Sequence, residues 1–314
     1  MPARKGIKKN GMSRIHEALK KAASERNARF DAGAAPELIE LAGEKLVADA
    51  RPEAVAVEVQ KSLAESAVSA HPQYAELLKK CQRTEWKIDP RYSVFVNESG
   101  EQSGAEKFRT LRSRLYQIAA TRPLKRILVT SSVPEEGKTF ITSNLAQSIV
   151  RQEDRKVLLI DGDLRASRLH RSLGASAGPG LSDYLRGEAD EFQIIQMGKE
   201  PNLGLIAGGK EVSNPSELLH SKAMETLLDR LTPLFDWVIL DSPPAIAVHD
   251  ASILADICDG VLFVVRAGAT DFEVAQKAAS EFDEKRILGV VLNRVEKSEG
   301  DSYYYGYPRK EEER

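Results

Sequence analysis

Gly137, Lys138 and Thr139 stand directly behind an apolar run, RILVT (126–130), and directly before a stretch of helical pattern, Thr139–Val150. That order suits a phosphate loop. The glycine lets the main chain approach phosphate oxygens with no Cβ in the way, and successive N–H groups with the positive end of a helix hold the anion. The lysine sets a point charge between β- and γ-phosphates, and the threonine hydroxyl can ligate Mg²⁺. A Gly-Lys-Ser/Thr triplet arises by composition alone ~0.15 times in a chain of this length. The strand before it and the helix behind it identify a Walker A loop, with Pro134, Glu135, Glu136, Gly137, Lys138, Thr139 and Phe140 as the expected ATP contacts. The ordinary GxxxxGK[ST] pattern has glycine where this chain has Ser132, so the loop is a variant.

Two further acidic motifs end apolar runs. VLLIDGDLR carries Asp161 and Asp163, and VILDSPP carries Asp241. A lone aspartate after a strand is usually a turn or a cap residue. Three of them beside a phosphate loop point to a metal-assisted phosphoryl transfer, with Lys138, Asp161, Asp163 and Asp241 as the catalytic group. Thr139, Asp163 and Asp241 are the expected Mg²⁺ ligands, and Asp161 would orient or deprotonate the acceptor, although which aspartate is the base stays open. His249 beside Asp250 has no nucleophile motif near it and reads as a structural histidine.

The elements that must position these groups are short β-branched runs alternating with helical stretches. The strands are RILVT, KVLLI (156–160), LGLIA (203–207), WVILD (237–241), GVLFVV (260–265) and ILGVVLN (287–293). Runs this uniformly apolar suit a mostly parallel sheet covered on both faces. Thr139–Val150, Pro215–Leu231 and Asp271–Lys285 are the crossover helices. The predicted fold is α/β, a doubly wound P-loop NTPase with its ligand at the carboxyl ends of the strands.

Around this domain, placed at 90–299, lie two other segments. Residues 1–89 comprise a basic N-terminus and an Ala/Glu-rich linker that is helical in pieces or partly disordered. Nine basic side chains against two acidic ones fall in residues 1–30, although the whole chain has a net charge of −2. From Ser13 the apolar residues recur at helical spacing, so this piece is an amphipathic basic helix, either merely solvated or used for docking. It lacks the interleaved aromatics of a nucleic-acid surface, and no nucleic-acid partner is expected. No apolar run is long enough to span a bilayer. Cys81 and Cys258 form no metal-ligand spacing and read as buried small hydrophobes of a reduced, cytoplasmic protein.

The third segment is the tail, 300–314. Four of the eight tyrosines, Tyr303, Tyr304, Tyr305 and Tyr307, fall in the last twelve residues, where an even spread would put ~0.3. Such a cluster can be a packing anchor or a set of phosphate acceptors. Gly300, Gly306, Pro308 and the charged end make it read as a mobile tail able to reach an active site.

The combination of TSSVPEEGKT, IDGDLR and ILDSPP resembles the bacterial tyrosine kinases of capsule and exopolysaccharide synthesis, relatives of the MinD/ParA-type ATPases. It is most similar to the exosortase-associated exopolysaccharide autokinases. The resemblance covers residues ~90–307, with the opening SRIHEALKKA also similar. MinD/ParA-type loops usually carry a second lysine where this chain has Val133, and the kinases lack it too. The resemblance implies autophosphorylation of the tail tyrosines within a ring-like homo-oligomer. It implies that Asn293 contacts adenine and that Arg165 lies near the phosphates. Glu106, Arg109 and Arg112 match an ExxRxxR helix associated with subunit contact. Implied partners are a membrane-bound polysaccharide copolymerase as activator and a cognate tyrosine phosphatase, with the protein peripheral at the inner face of the plasma membrane. The competing expectation is a MinD/ParA-like localisation ATPase that hydrolyses ATP to water and modifies no tyrosine.

Overall fold

The computed structural model describes residues 72–96, 102–198, 202–283 and 286–295. The basic helix from Ser13 and the tyrosines at 303–307 lie outside the described residues. Within them the helices are α1 (Pro72–Lys80), α2 (Gln102–Ala119), α3 (Lys138–Val150), α4 (Leu169–Leu173), α5 (Leu181–Leu185), α6 (Glu191–Ile194), α7 (Pro215–Leu219), α8 (Lys222–Leu231), α9 (Asp250–Asp256) and α10 (Phe272–Ala279). The strands are β1 (Gln82–Arg83), β2 (Arg126–Ser131), β3 (Val157–Asp161), β4 (Ile195–Met197), β5 (Leu203–Ile206), β6 (Trp237–Asp241), β7 (Gly260–Arg266) and β8 (Ile287–Asn293).

The eight strands form one sheet in the order β1-β4-β5-β3-β6-β2-β7-β8. All pairs are parallel except β4 with β5. This is the doubly wound sheet that the apolar runs require, because strands such as VLLID and WVILD are buried along their whole length. One face is covered by α2 and α3 through Phe108, Leu111, Leu115, Ile141, Leu145 and Ile149. The other carries α1 and the helices from α5 onward, with Leu77, Leu181, Leu227, Leu254 and Ala278 in its core.

Three local features depart from the sequence expectation. The single helix over Pro215–Leu231 is two, because the Ser221 side chain accepts from the Met224 N–H and starts α8 as its N-cap. Strands β1 and β4 extend the sheet beyond the six apolar runs. Both are too short to show a period, and their pairing is set by tertiary contact: the Gln82 side chain donates to the Gln193 carbonyl at 2.8 Å and the Thr84 N–H to the Met197 carbonyl at 3.0 Å. The short helical pattern at Tyr74–Cys81, finally, is α1, but it is packed on the sheet and not loose: Tyr74 and Leu77 are buried, with Tyr74 edge-on to Phe235 at 5.4 Å. Cys81 and Cys258 are both free and buried, as expected of small hydrophobes.

Residues 92–95 are strapped across α3. The Asn144 side chain accepts from the Val94 N–H and donates to the Tyr92 and Phe140 carbonyls at 2.9 Å each, while the Ser93 hydroxyl donates to Gln147 at 2.7 Å. These contacts tie the chain ahead of α2 to the helix that begins at the phosphate loop. Leu77, at 2 % exposure, supplies the test that α1 belongs to the same cooperative unit. Leu77→Ala in the full chain is expected to lower unfolding free energy by about 2–5 kcal/mol, read as a shifted urea midpoint with unchanged slope; an unmoved midpoint would mean that α1 unfolds independently.

Candidate functional site

The loop between β2 and α3 is built from two left-handed positions, Glu135 at φ 67° and Gly137 at φ 96°. A Cβ on Gly137 would fall 2.0 Å from the Asn293 Nδ2, so glycine is needed both for the backbone conformation and for the close approach. The buried Glu136 carboxylate holds the loop from within. It accepts from the Val133 N–H at 2.8 Å, the Thr270 hydroxyl at 2.6 Å and the Arg266 N–H at 3.2 Å. Asn293, at the end of β8, donates its amide to the Glu136 carbonyl at 2.8 Å. The Glu136 side chain therefore staples the loop to the turn after β7, leaving only its main chain for an anion.

Helix α3 opens on this loop with no side-chain cap. Its first N–H groups are the donors an anion would take, and an uncapped, half-buried start calls for such a partner. The Phe140 side chain turns away and packs edge-on against Phe108 at 5.9 Å. Ser132 is fully buried, and its hydroxyl has no hydrogen-bond partner.

Three aspartates meet Lys138 and Thr139 here. Asp161 and Asp241 are register partners on the adjacent strands β3 and β6, and Val129 of β2 is level with Asp241 on its other side. The Thr139 hydroxyl donates to Asp241 Oδ2 at 2.5 Å, and the Thr142 hydroxyl lies 3.3 Å from Oδ1. Lys138 Nζ stands 3.5 Å from Asp163 Oδ2. Asp161 is used differently. Its Oδ2 accepts from the Ser167 hydroxyl at 2.7 Å and from the Arg168 and Leu169 N–H groups at 3.0 and 2.9 Å, while Oδ1 accepts the Asp163 N–H at 3.2 Å. Sequence reasoning passed over Ser167, because a serine six residues past a strand end carries no motif.

Arg165 is held by partners outside the phosphate loop. Its guanidinium donates to Asp250 Oδ2 at 2.8 Å and to the Ser216 hydroxyl at 3.0 Å, and Ser216 donates to Asp250 Oδ1 at 2.5 Å. Asp250 is wholly buried and ties the loops after β3, β5 and β6 into one body. His249, by contrast, only precedes α9. The expected trio on α2 also divides. Arg109 pairs with Glu106 at 2.8 Å on the exposed face, whereas Arg112 reaches inward to the Ser148 carbonyl in the last turn of α3.

Burial pushes the Asp161 and Asp241 carboxyls upward. Hydrogen bonds from Ser167 and Leu169 oppose the rise of Asp161, and the Asp163 charge adds to it. Asp241 is raised further by Asp161 and Asp163, and the Lys138 ammonium and Thr139 oppose that shift without cancelling it, leaving it at about 7. A carboxyl raised on folding binds more protons folded than unfolded between the two pKa values, so stability is present at low pH and is lost as pH rises through that window.

The chain shows two kinds of kinship. Residues 127–310 match the CobQ/CobB/MinD/ParA nucleotide binding domain. The chain is 35% identical over 205 residues to the tyrosine-protein kinase YwqD of Bacillus subtilis (strain 168), covering 64% of this chain and 86% of that protein. It is 34% identical over 205 residues to the tyrosine-protein kinase etk of Escherichia coli (strain K12), covering 65% of this chain but only 28% of etk. Among solved structures it superposes on the chimerical protein CapA2B2 with TM-score 0.62 at 29% identity, over 69% of this chain and 94% of that one. The kinase domain of Escherichia coli ETK gives TM-score 0.59 at 34% identity, over 65% and 81%.

The titration of the two aspartates gives an expected outcome. In nucleotide-free protein the melting temperature should fall as pH rises from about 5 to about 7 and level off above, and Asp241→Asn should flatten most of that slope. Calorimetry across the range checks it, and a melting temperature that rose with pH would show that these carboxyls are not raised.

Proposed function

Because the chain belongs to the CobQ/CobB/MinD/ParA nucleotide-binding family and, within it, to the bacterial tyrosine-protein kinases, we propose that it phosphorylates its own C-terminal tyrosines from ATP. One observation carries the reading. The uncapped start of α3, with Lys138 beside Asp163 and Thr139 on Asp241, lies in a chain related to a kinase over most of that kinase's length.

The residues fit ATP and Mg²⁺. Gly137 keeps the loop open, the uncapped N–H groups at the start of α3 are those an anion would take, and hydroxyl and carboxylate oxygens suit a hard cation. Thr139 and Asp241 would hold the metal, which would spread the charge of the γ-phosphoryl group that ATP supplies. Lys138 adds a cation on the transferred group. Asp161 spends both oxygens on holding residues 163–169, so its part is to fix the loop. Asp163, whose Oδ2 has Lys138 beside it, is the carboxylate placed to take the phenol proton. The tyrosine oxygen then attacks phosphorus as the bond to the leaving diphosphate breaks, and the proton goes to Asp163.

In this reading the acceptor is the tail of a second copy, and the exposed Glu106–Arg109 pair of α2 lies at the subunit contact of a homo-oligomer. No helix among the described residues is long and apolar enough to cross a membrane. A membrane-bound polysaccharide copolymerase is the proposed activator, a cognate phosphatase the proposed antagonist and exopolysaccharide export the proposed output. Phosphate on several neighbouring tyrosines adds like charge and would loosen the assembly.

Purified chain incubated with γ-labelled ATP and Mg²⁺ should carry phosphate on Tyr303, Tyr304, Tyr305 or Tyr307 by mass spectrometry. Lys138→Met should abolish it, and Asp163→Asn should lower the rate about 10²–10⁴-fold, the usual share of a general base. Release of free phosphate with no label on protein would instead identify a nucleotide-switched ATPase.

A further inference from the structure

Next to the phosphate site, off the carboxyl end of β5, lies a cleft of about 440 Å³ that the reaction just described does not use. Its walls are largely apolar, formed by Ala177, Pro179, Ala189 and Gly209, with Asp183, Glu188 and Lys210 as the charged side chains that line it. The cleft is built from two loops zipped together. The Leu181 N–H donates to the Ala207 carbonyl at 2.7 Å, the Ser182 N–H to the Gly208 carbonyl at 2.9 Å and the Ser182 hydroxyl to the Lys210 carbonyl at 2.7 Å. Gly209 sits at φ 82°, and a Cβ there would meet Asp183 Oδ2 at 2.6 Å. The wall therefore has little freedom to collapse.

Asp183 is 2 % exposed. Its Oδ2 accepts the Gly180 N–H at 2.9 Å, but its Oδ1 has no hydrogen-bond partner. Arg186 and Lys210 stand 3.5 Å from that oxygen and balance its charge, but both make their short contacts to Glu188, at 2.8 and 3.0 Å. A buried carboxylate oxygen left in this way in an apolar recess asks for a donor on an apolar body. A phenol is such a group.

The cleft also lies at the right place. The Gly208 N–H donates to Ser167 Oγ, which donates to Asp161, so the cleft begins one strand outward from the catalytic aspartates. Adjacent strands are about 4.8 Å apart, and residues two apart in an extended chain are about 6.6 Å apart and point the same way. Tyr303, Tyr305 and Tyr307 have that spacing. We infer that this cleft is an acceptor subsite: while one tail tyrosine occupies the reacting position, the phenol of the tyrosine two residues away enters the cleft and donates to Asp183. The inference rests on the tyrosine-kinase reading. It adds a selection rule, because Tyr304 has Ser302 and Gly306 as its second neighbours and so lacks the flanking phenol.

The test uses the full chain as enzyme and a synthetic peptide of residues 299–314 as acceptor, with phosphate located by mass spectrometry. Replacing Tyr305 by phenylalanine in the peptide should raise KM about tenfold with kcat little changed for phosphorylation at one of its second neighbours, Tyr303 or Tyr307, because a fixed chain direction brings the flanking phenol to the cleft from one side only; the loss is that of one hydrogen bond to a charged group. Replacing Tyr304 should leave that KM in place. Ala189→Trp, which fills the cleft, should raise KM for the unaltered peptide, with nucleotide affinity measured beside it to verify folding; if that variant is unfolded, the peptide series decides alone. Equal KM values for the Tyr304 and Tyr305 replacements would overturn the subsite while leaving the kinase intact. No phosphate on the unaltered peptide or on the chain would overturn both.

Discussion

The site depends on the cost of keeping Asp161 and Asp241 side by side out of water. They are level on adjacent parallel strands, burial raises both, and the Asp161 charge raises Asp241 further. Two such carboxylates can share a sheet edge only if neighbours neutralise or hydrogen-bond them. The protein does this in two ways. Asp161 is saturated by Ser167 and three main-chain N–H groups, which turns its charge into the anchor of the loop that carries Asp163. Asp241 has the Thr139 and Thr142 hydroxyls, with the Lys138 ammonium nearby, and remains raised. Asp241 is therefore the carboxylate with most to gain from a cation, and it faces the hydroxyl that follows the loop lysine.

The same constraint explains the buried ties around the loop. A phosphate loop must keep its N–H groups unpaired until the ligand arrives, so its stiffness has to come from elsewhere. Glu136 supplies it from below, Asn293 from the side and Asn144 through the strap over α3. Arg165, Ser216 and Asp250 hold three strand-end loops in one cluster. None of these groups needs to touch nucleotide. Each removes a freedom that binding would otherwise have to freeze.

The six apolar strands and the phosphate loop could be read from sequence because their signals are local. A strand buried on both faces must be apolar at every position, and a loop that closes on an anion must have glycine at a fixed place. The acidic residues after β3 and β6 followed from the rule that such a sheet gathers its site at the carboxyl ends. What could not be read was set by partners distant in the chain. β1 and β4 have three residues or fewer and exist because neighbours bond them. Arg165 sits in the motif that the resemblance tied to phosphate, yet its partner is Asp250, 85 residues away. Glu136 lies in the loop as expected, but its staple runs to Thr270. Side-chain direction is a tertiary property, and a motif fixes only the position.

Strand order also divides the labour of the proposed reaction. From β3 toward β8 the loops carry Asp161 and Asp163, then Asp241, then the phosphate loop, the turn held by Glu136 and finally Asn293. These are the groups for the donor. From β3 toward the opposite edge the next strand is β5, whose loop is zipped to residues 180–182 and walls the cleft. An acceptor must approach the transferred group opposite the leaving diphosphate, because displacement is in line. A sheet that stacks donor groups to one side of β3 leaves the β5 side as the open approach. Asp161 then stands at the boundary, bonded through Ser167 to the Gly208 loop and through Asp163 to the loop facing Lys138. Its saturation by hydrogen bonds follows from that position, because a group that fixes the geometry between donor and acceptor cannot also be free to move.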